Sequence, residues 1–121
     1  MGEYPDDRKY DGSHTWVKKE GDNYMMGITQ GSAGQVSEFV FVQLPDKGKK
    51  ISKGDVYVSL ESAKWSGHVH SPISGKIVDI NMDVFDEPSL LNKNAYDEWI
   101  VIVEADNPQE YDDLKDSNDM E

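Results

Sequence analysis

The 121-residue chain contains no cysteine. That excludes a disulfide framework, a thiolate metal site and a cysteine nucleophile. Basic residues are scarce as well: 12 Lys and Arg stand against 24 Asp and Glu, a formal net charge of −12. A surface of that sign repels polyanions, which excludes nucleic acid and anionic membrane as natural partners. It suits a basic protein partner, or a high-salt milieu that screens self-repulsion. Long apolar runs are also missing, and none approaches a membrane span. The opening Met1-Gly-Glu-Tyr-Pro-Asp-Asp7 is acidic and lacks the apolar segment of a signal or transit peptide. A cytoplasmic location is expected.

Hydrophobic residues make up 36% and aromatics 10%, enough for one small core and one domain over 1–121. Residues 8–115 are the expected ordered part, with 116–121 a frayed acidic tail. Short alternating segments dominate. Val56-Tyr-Val-Ser-Leu60 puts Val56, Val58 and Leu60 on one face. Lys76–Ile80 and Trp99–Val103 are similarly β-branched, and Phe39–Leu44 is apolar on both faces, like a strand buried between layers. Thr15–Lys19 and Tyr24–Ile28 flank Glu20-Gly-Asp-Asn23, a hairpin turn. Many short strands with regular turn signals predict a mainly β sandwich or barrel.

Helices are minor. Asn107-Pro-Gln-Glu110 carries the start signal of a helix over about 108–115, docked through Tyr111 and Leu114. Pro88–Asn92 predicts a helical turn, and Thr29–Ser37 a helix weakened by Gly31 and Gly34.

Lys64 sits where one alternating run ends and another begins, the place where a β-turn tip presents an amine to solvent. Alone it reads as a solvated turn lysine. Its neighbours read otherwise. Tyr10-x-x-x-His14-x-Trp16, Gly27-Ile-Thr29, Phe39-Val-Phe-Val-x-Leu-Pro45 and Lys53-Gly-Asp55 occur in order. Glu61-Ser-x-Lys64, Ser71-Pro-Ile-Ser-Gly75, Val78-x-x-Asn81, Pro88-x-Leu-x-Asn92 and Tyr96…Trp99 follow. This collinear set over about residues 8–115 resembles the H protein of the glycine cleavage system, a lipoyl-lysine carrier. The resemblance implies a barrel-sandwich hybrid fold with short helices and a C-terminal helix. It implies a carrier rather than an enzyme, with no catalytic residues of its own. It implies lipoate in amide linkage on Lys64, with Glu61 helping the lipoate ligase or lipoyl transferase register that lysine. A dihydrolipoyl dehydrogenase would reoxidise the arm, and the carrier is expected to act as a monomer. A chain bearing reactive lipoyl sulfur gains from having no thiols of its own, because thiols and disulfides exchange.

Three departures bear on the cargo. The family beds a cationic aminomethyl group beside a glutamate directly after the His of His-x-Trp and an aspartate shortly after the lipoyl lysine. Thr15 and His68 stand at those places, and each lost charged hydrogen bond costs about 1.5–3 kcal/mol. Trp65 follows the lysine where a small residue is usual. Lys64-Trp-x-Gly67 is similar to H-like lipoate-binding proteins of heterodisulfide-reductase-like sulfur oxidation, where Trp65 would form an apolar wall for the dithiolane or a partner's anchor. Thr15, Trp65 and His68 are thus the expected arm environment. They favour a sulfur-linked cargo passed to a heterodisulfide-reductase-like complex over an aminomethyl group passed from glycine decarboxylase to aminomethyltransferase. In Tyr96-Asp-Glu-Trp99 the glycines usual before the tryptophan are also missing. An unmodified interaction module is the remaining reading.

Other constellations carry less. His68 and His70 share a strand face, but with His14 they lack a carboxylate or cysteine at metal-site spacing, so no metal is expected. Asp112-Asp113 lacks the glycine of a calcium loop, and no nucleophile-elbow pattern occurs. A biotin carrier would show methionines beside its lysine, where Ala63 and Trp65 stand.

Overall fold

In a computed structural model, residues 4–12, 14–30 and 38–120 are described. Among the described residues nine antiparallel strands form two sheets. The larger has the order β1 (Lys9–Tyr10), β2 (Thr15–Glu20), β3 (Asn23–Ile28), β9 (Val101–Ala105), β8 (Gly75–Ile80) and β5 (Lys50–Ile51). The smaller has the order β4 (Phe39–Gln43), β6 (Val56–Ser62) and β7 (Ser66–His70). The mainly β, barrel-sandwich expectation holds.

One apolar cluster joins the sheets. Val17, Met26, Ile28, Ile77, Val101 and Val103 of the larger sheet are buried together with Val42, Val58, Leu60 and Val69 of the smaller. β-branched side chains on alternate positions explain it, since successive residues of a strand face opposite sides. The hairpin over Glu20–Asn23 forms as read, with Gly21 supplying the positive φ of 61°.

Three expectations are corrected. Phe39–Leu44 is not buried on both faces: Phe39 and Val42 face the core, while Val40 and Phe41 are exposed. A register shift between Phe39 and Phe41 breaks the alternation, and β4 is the edge strand of its sheet, its Phe41 ring only partly covered by Phe85 at 6.4 Å. The helix after Asn107 is only α3 (Gln109–Asp112), yet Asn107 Oδ1 still accepts from the Gln109 amide, and Tyr111 and Leu114 pack on the core. The chain beyond Lys115 is not a frayed end throughout. Tyr10 and Lys115 exchange backbone hydrogen bonds, Lys9 pairs with Asp116 at 2.9 Å, and α4 (Ser117–Met120) follows with Ser117 buried. Most of the predicted helix at Thr29–Ser37 lies outside the described residues.

Two short helices sit beside the small sheet. α1 (Met82–Asp86) is capped by Asn81, whose Oδ1 accepts from the Asp83 amide and whose amide donates to the Trp99 carbonyl. α2 (Leu90–Lys93) places Asn92 where its Oδ1 accepts from the Phe39 amide at 2.8 Å. That bond anchors the start of β4 beside the end of β6. Among the described residues no helix is long and apolar enough to cross a membrane.

Ile77 is fully buried in the centre of β8. Ile77→Ala should lower unfolding free energy by about 2–5 kcal/mol in a denaturant titration. A loss no larger than that of an exposed-strand substitution would contradict the shared core.

Candidate functional site

The site is the far end of the β6–β7 hairpin. Val56–Ser62 runs outward and Ser66–His70 returns, with Glu61 opposite Ser66, Leu60 opposite Gly67 and Ser59 opposite His68. The Ser62 amide donates to the Trp65 carbonyl at 2.7 Å, leaving Ala63 and Lys64 as the two central residues of the turn. No described non-glycine residue has positive φ, so the turn avoids the left-handed conformations that usually serve two-residue hairpins. β4 supports the hairpin on one side, with Phe39 opposite Ser62 and Phe41 opposite Glu61.

Lys64 is exposed and makes no hydrogen bond or ion pair to another described residue. Its ammonium is therefore reachable, and acylating it breaks no contact with those residues. A covalent acyl group fits such a position: the amine is presented on a short turn whose base is fixed by three strands.

The structure does not bring the three expected arm neighbours together. Trp65 lies on the core side of the hairpin, with its ring folded over Gly67 and its centroid 6.3 Å from that of Phe39. A Cβ at residue 67 would stand 2.5 Å from the indole Cζ2, so the ring could keep this seat only over a glycine. The indole stays 43% exposed. His68 lies on the opposite, outer face, where its Nδ1 shares a 2.7 Å hydrogen bond with the Ser59 hydroxyl. Thr15 is fully buried in β2, its hydroxyl 3.0 Å from that of Tyr57. Tyr57 belongs to the other sheet, so this bond ties the two sheets together. Tyr57 also lies five residues before Ser62 along β6, about 17 Å of extended strand. Burial pushes the Tyr57 phenol well above its ordinary value.

Glu61 is exposed on the outer face with Phe41, Ser66 and His68. These residues, with Gln43 and Ser59, line a concavity of about 240 Å³ just below the turn. Phe41 and Ser59 were not singled out from the sequence. The alternation of Val56–Ser62 would have placed Ser59 beside Glu61, but the irregularity in β4 hides the outward turn of Phe41. Among the described residues no group of three or more His, Asp or Glu is placed to hold a metal ion.

Comparison with known proteins is consistent along the whole chain. Residues 8–121 match the family described as glycine cleavage H-protein. The glycine cleavage system H protein of Alteromonas mediterranea is 38% identical over 123 residues, covering 100% of this chain and 95% of the relative. The mitochondrial glycine cleavage system H protein of Oryza sativa is 39% identical over 112 residues, covering 92% and 68%. The crystal structure of a glycine cleavage system H protein from Mycobacterium marinum superposes with a TM-score of 0.87 at 28% identity, covering 97% of this chain and 95% of that one.

Three outcomes test the local geometry. Gly67→Ala should expel the indole from its seat on the hairpin, giving a red-shifted Trp65 emission in a variant that remains folded. An unchanged spectrum would contradict the packing. Thr15→Val should cost about 1–3 kcal/mol by leaving the buried Tyr57 hydroxyl unpaired. Folded Tyr57 also keeps its proton where the unfolded phenol, with its ordinary value near 10, has lost it. Stability is therefore full below pH 10 and falls as pH rises beyond it. Denaturant midpoints measured from pH 8 to 11 that stay level would contradict the burial of Tyr57.

Proposed function

The chain belongs to the glycine cleavage H-protein family, and we propose on that premise that Lys64 is its lipoyl attachment site. The family carries covalent lipoate on a lysine, and its members are carrier proteins rather than enzymes. The observation that carries the assignment to Lys64 is its free, exposed amine at a two-residue turn flanked by three strands. When attached, lipoate supplies a dithiol–dithiolane couple capable of sulfur exchange and group carriage.

The protein's own residues do the rest. Ser62 and Trp65 close the turn, so the base of the arm is fixed while its length roams, which raises the effective concentration of its end at each partner. Glu61, exposed three residues before Lys64, offers the lipoate ligase or lipoyl transferase a carboxylate for registering the correct lysine. The acidic surface suits basic docking faces on the partner enzymes and a cytoplasmic setting.

For the cargo, the aminomethyl group of glycine, passed from glycine decarboxylase to aminomethyltransferase, is the reading that the relatives support. All of those quoted above are named for glycine cleavage and match nearly the whole of this chain. This reverses the preference drawn from Thr15, Trp65 and His68 alone. A sulfur-linked cargo for a heterodisulfide-reductase-like complex stays as the second reading. It is favoured by the half-exposed indole beside Lys64 and by a Thr15 whose hydroxyl is already held by Tyr57.

Lipoylated protein incubated with glycine, glycine decarboxylase, aminomethyltransferase and a one-carbon acceptor for the latter decides between them. Aminomethyl loading and ammonia release at rates close to those of an authentic H protein are expected, and Lys64→Arg should abolish both. A correctly lipoylated protein that is not loaded would overturn the glycine reading and favour the second.

A further inference from the structure

Apolar exposure is concentrated in one place. Of the six large apolar side chains left exposed among the described residues, four belong to β4 and α1: Val40, Phe41, Met82 and Phe85. In a chain with 30% charged residues such clustering marks a contact surface. α1 holds its two side chains outward for a structural reason. Val84 is fully buried, and Asn81 caps the first turn while donating to the Trp99 carbonyl, so the helix is fixed in its rotation. At roughly 100° per residue, the solvent side of α1 presents Phe85, Met82, Asp86 and Asp83 in that order. The Phe85 ring lies 6.4 Å from that of Phe41 in β4, so the apolar flank of the helix is turned to the small sheet and the acidic flank away from it.

The strip Met82–Phe85–Phe41 is bordered by carboxylates at both ends. Asp83 and Asp86, both exposed, lie beyond Met82. Glu61, also exposed, stands opposite Phe41 in the strand register. Among the described residues no cation pairs with any of the three. Glu61 is in turn three residues before Lys64, roughly 10 Å of extended strand. The strip therefore starts near the base of the arm and runs away from it across α1. A second copy of this chain is the wrong occupant, because a two-fold contact would bring the two carboxylate rims together. An apolar centre inside an acidic rim calls for a protein face with an apolar socket and Lys or Arg around it.

We infer that this strip is the docking face for glycine decarboxylase, which meets Phe85 and Met82 with an apolar socket and the acidic rim with basic side chains. The inference rests on the glycine reading of the Lys64 arm. Of the two transfer steps, the first needs a docking face more. Aminomethyltransferase meets a charged adduct on the arm and can select its substrate by that charge. Glycine decarboxylase meets the empty arm, an uncharged dithiolane with little to grip, so selection of the carrier falls to the protein surface beside the turn. Aromatic and methionine side chains inside a polar rim have the composition of an interface centre. At 48% and 44% exposure Met82 and Phe85 still have about half their surface to bury. Their fixed helix lowers the cost of ordering them on contact, and the rim charges steer the encounter.

Initial rates of aminomethyl loading test this, read by intact mass with purified glycine decarboxylase, glycine and increasing lipoylated carrier. Met82→Ser combined with Phe85→Ser should raise KM about tenfold with kcat little changed. Val56→Ser, at an exposed apolar position outside the strip, should leave both unchanged. Asp83→Lys combined with Asp86→Lys should raise KM and flatten its dependence on salt. Lys64→Arg protein, which bears no arm, should inhibit loading competitively, and adding Met82→Ser and Phe85→Ser to it should remove that inhibition while its circular dichroism stays that of the folded protein. An unchanged KM in the double variant, or equal inhibition by the two Lys64→Arg proteins, would overturn the docking face and leave the glycine reading standing. A dimer in sedimentation that the double variant disperses would assign the strip to a second copy and overturn it as well. Unsubstituted lipoylated protein that is not loaded would overturn the glycine reading and the docking face with it.

Discussion

One hydrogen bond sets the terms for the functional end of this molecule: the Ser62 amide donating to the Trp65 carbonyl. It closes the hairpin with two residues between and puts Lys64 at its exposed tip. The bond is dependable because both flanking strands are committed elsewhere. Leu60 and Val69 are buried in the shared core, and Phe39 of β4 pairs beside Ser62 under an anchor from Asn92. A slip of one residue in this register would turn Leu60 and Val58 to solvent. The position of a single amine is thereby tied to the apolar pattern of the whole small sheet.

The same register separates the two faces of the hairpin and gives them different characters. The core side carries Trp65, Gly67 and Phe39, packed against one another. The outer side carries Ser59, Glu61, Ser66 and His68, with Phe41 beside them. Thr15 of β2, bonded to Tyr57 far from the hairpin tip, bridges the two sheets. Replacing a family carboxylate by threonine thus does more than remove a charge. It gives the interior a satisfied hydroxyl pair, and a buried hydroxyl without such a partner would be costly. The cargo preference inferred from Thr15, Trp65 and His68 left this structural use of Thr15 out of account, and relatives named for glycine cleavage now point the other way.

Much of this was legible in the sequence because it depends on local patterns. Alternation marked the course of β2, β3 and β8 and of β6 from Val58 onward, but an irregularity between Val56 and Val58 exposes Val56 and buries Tyr57, against the faces read for them. The Gly21 turn was readable from its residue types, and Asn107 caps the following turn as its chemistry suggests. Lys64 stood out through a collinear set of neighbours, and the comparisons agree with the family so identified. What escaped depends on non-local packing. The exposure of Val40 and Phe41 follows from a register shift in an edge strand, which no periodicity reveals. The helix Met82–Asp86 follows from Asn81 capping it while also holding the Trp99 carbonyl, a partner 18 residues away. The separation of Trp65 from His68 needed only the strand period of two, but the grouping of both around one arm rested on analogy with relatives rather than on that period.

The account stands on the chemical state of Lys64. Peptide mapping by mass spectrometry of the protein purified from cells competent for lipoylation measures it most directly. The account predicts a lipoyl increment on the peptide containing Lys64 and on no other lysine. An unmodified Lys64 in such cells, or lipoate on a different lysine, would contradict it.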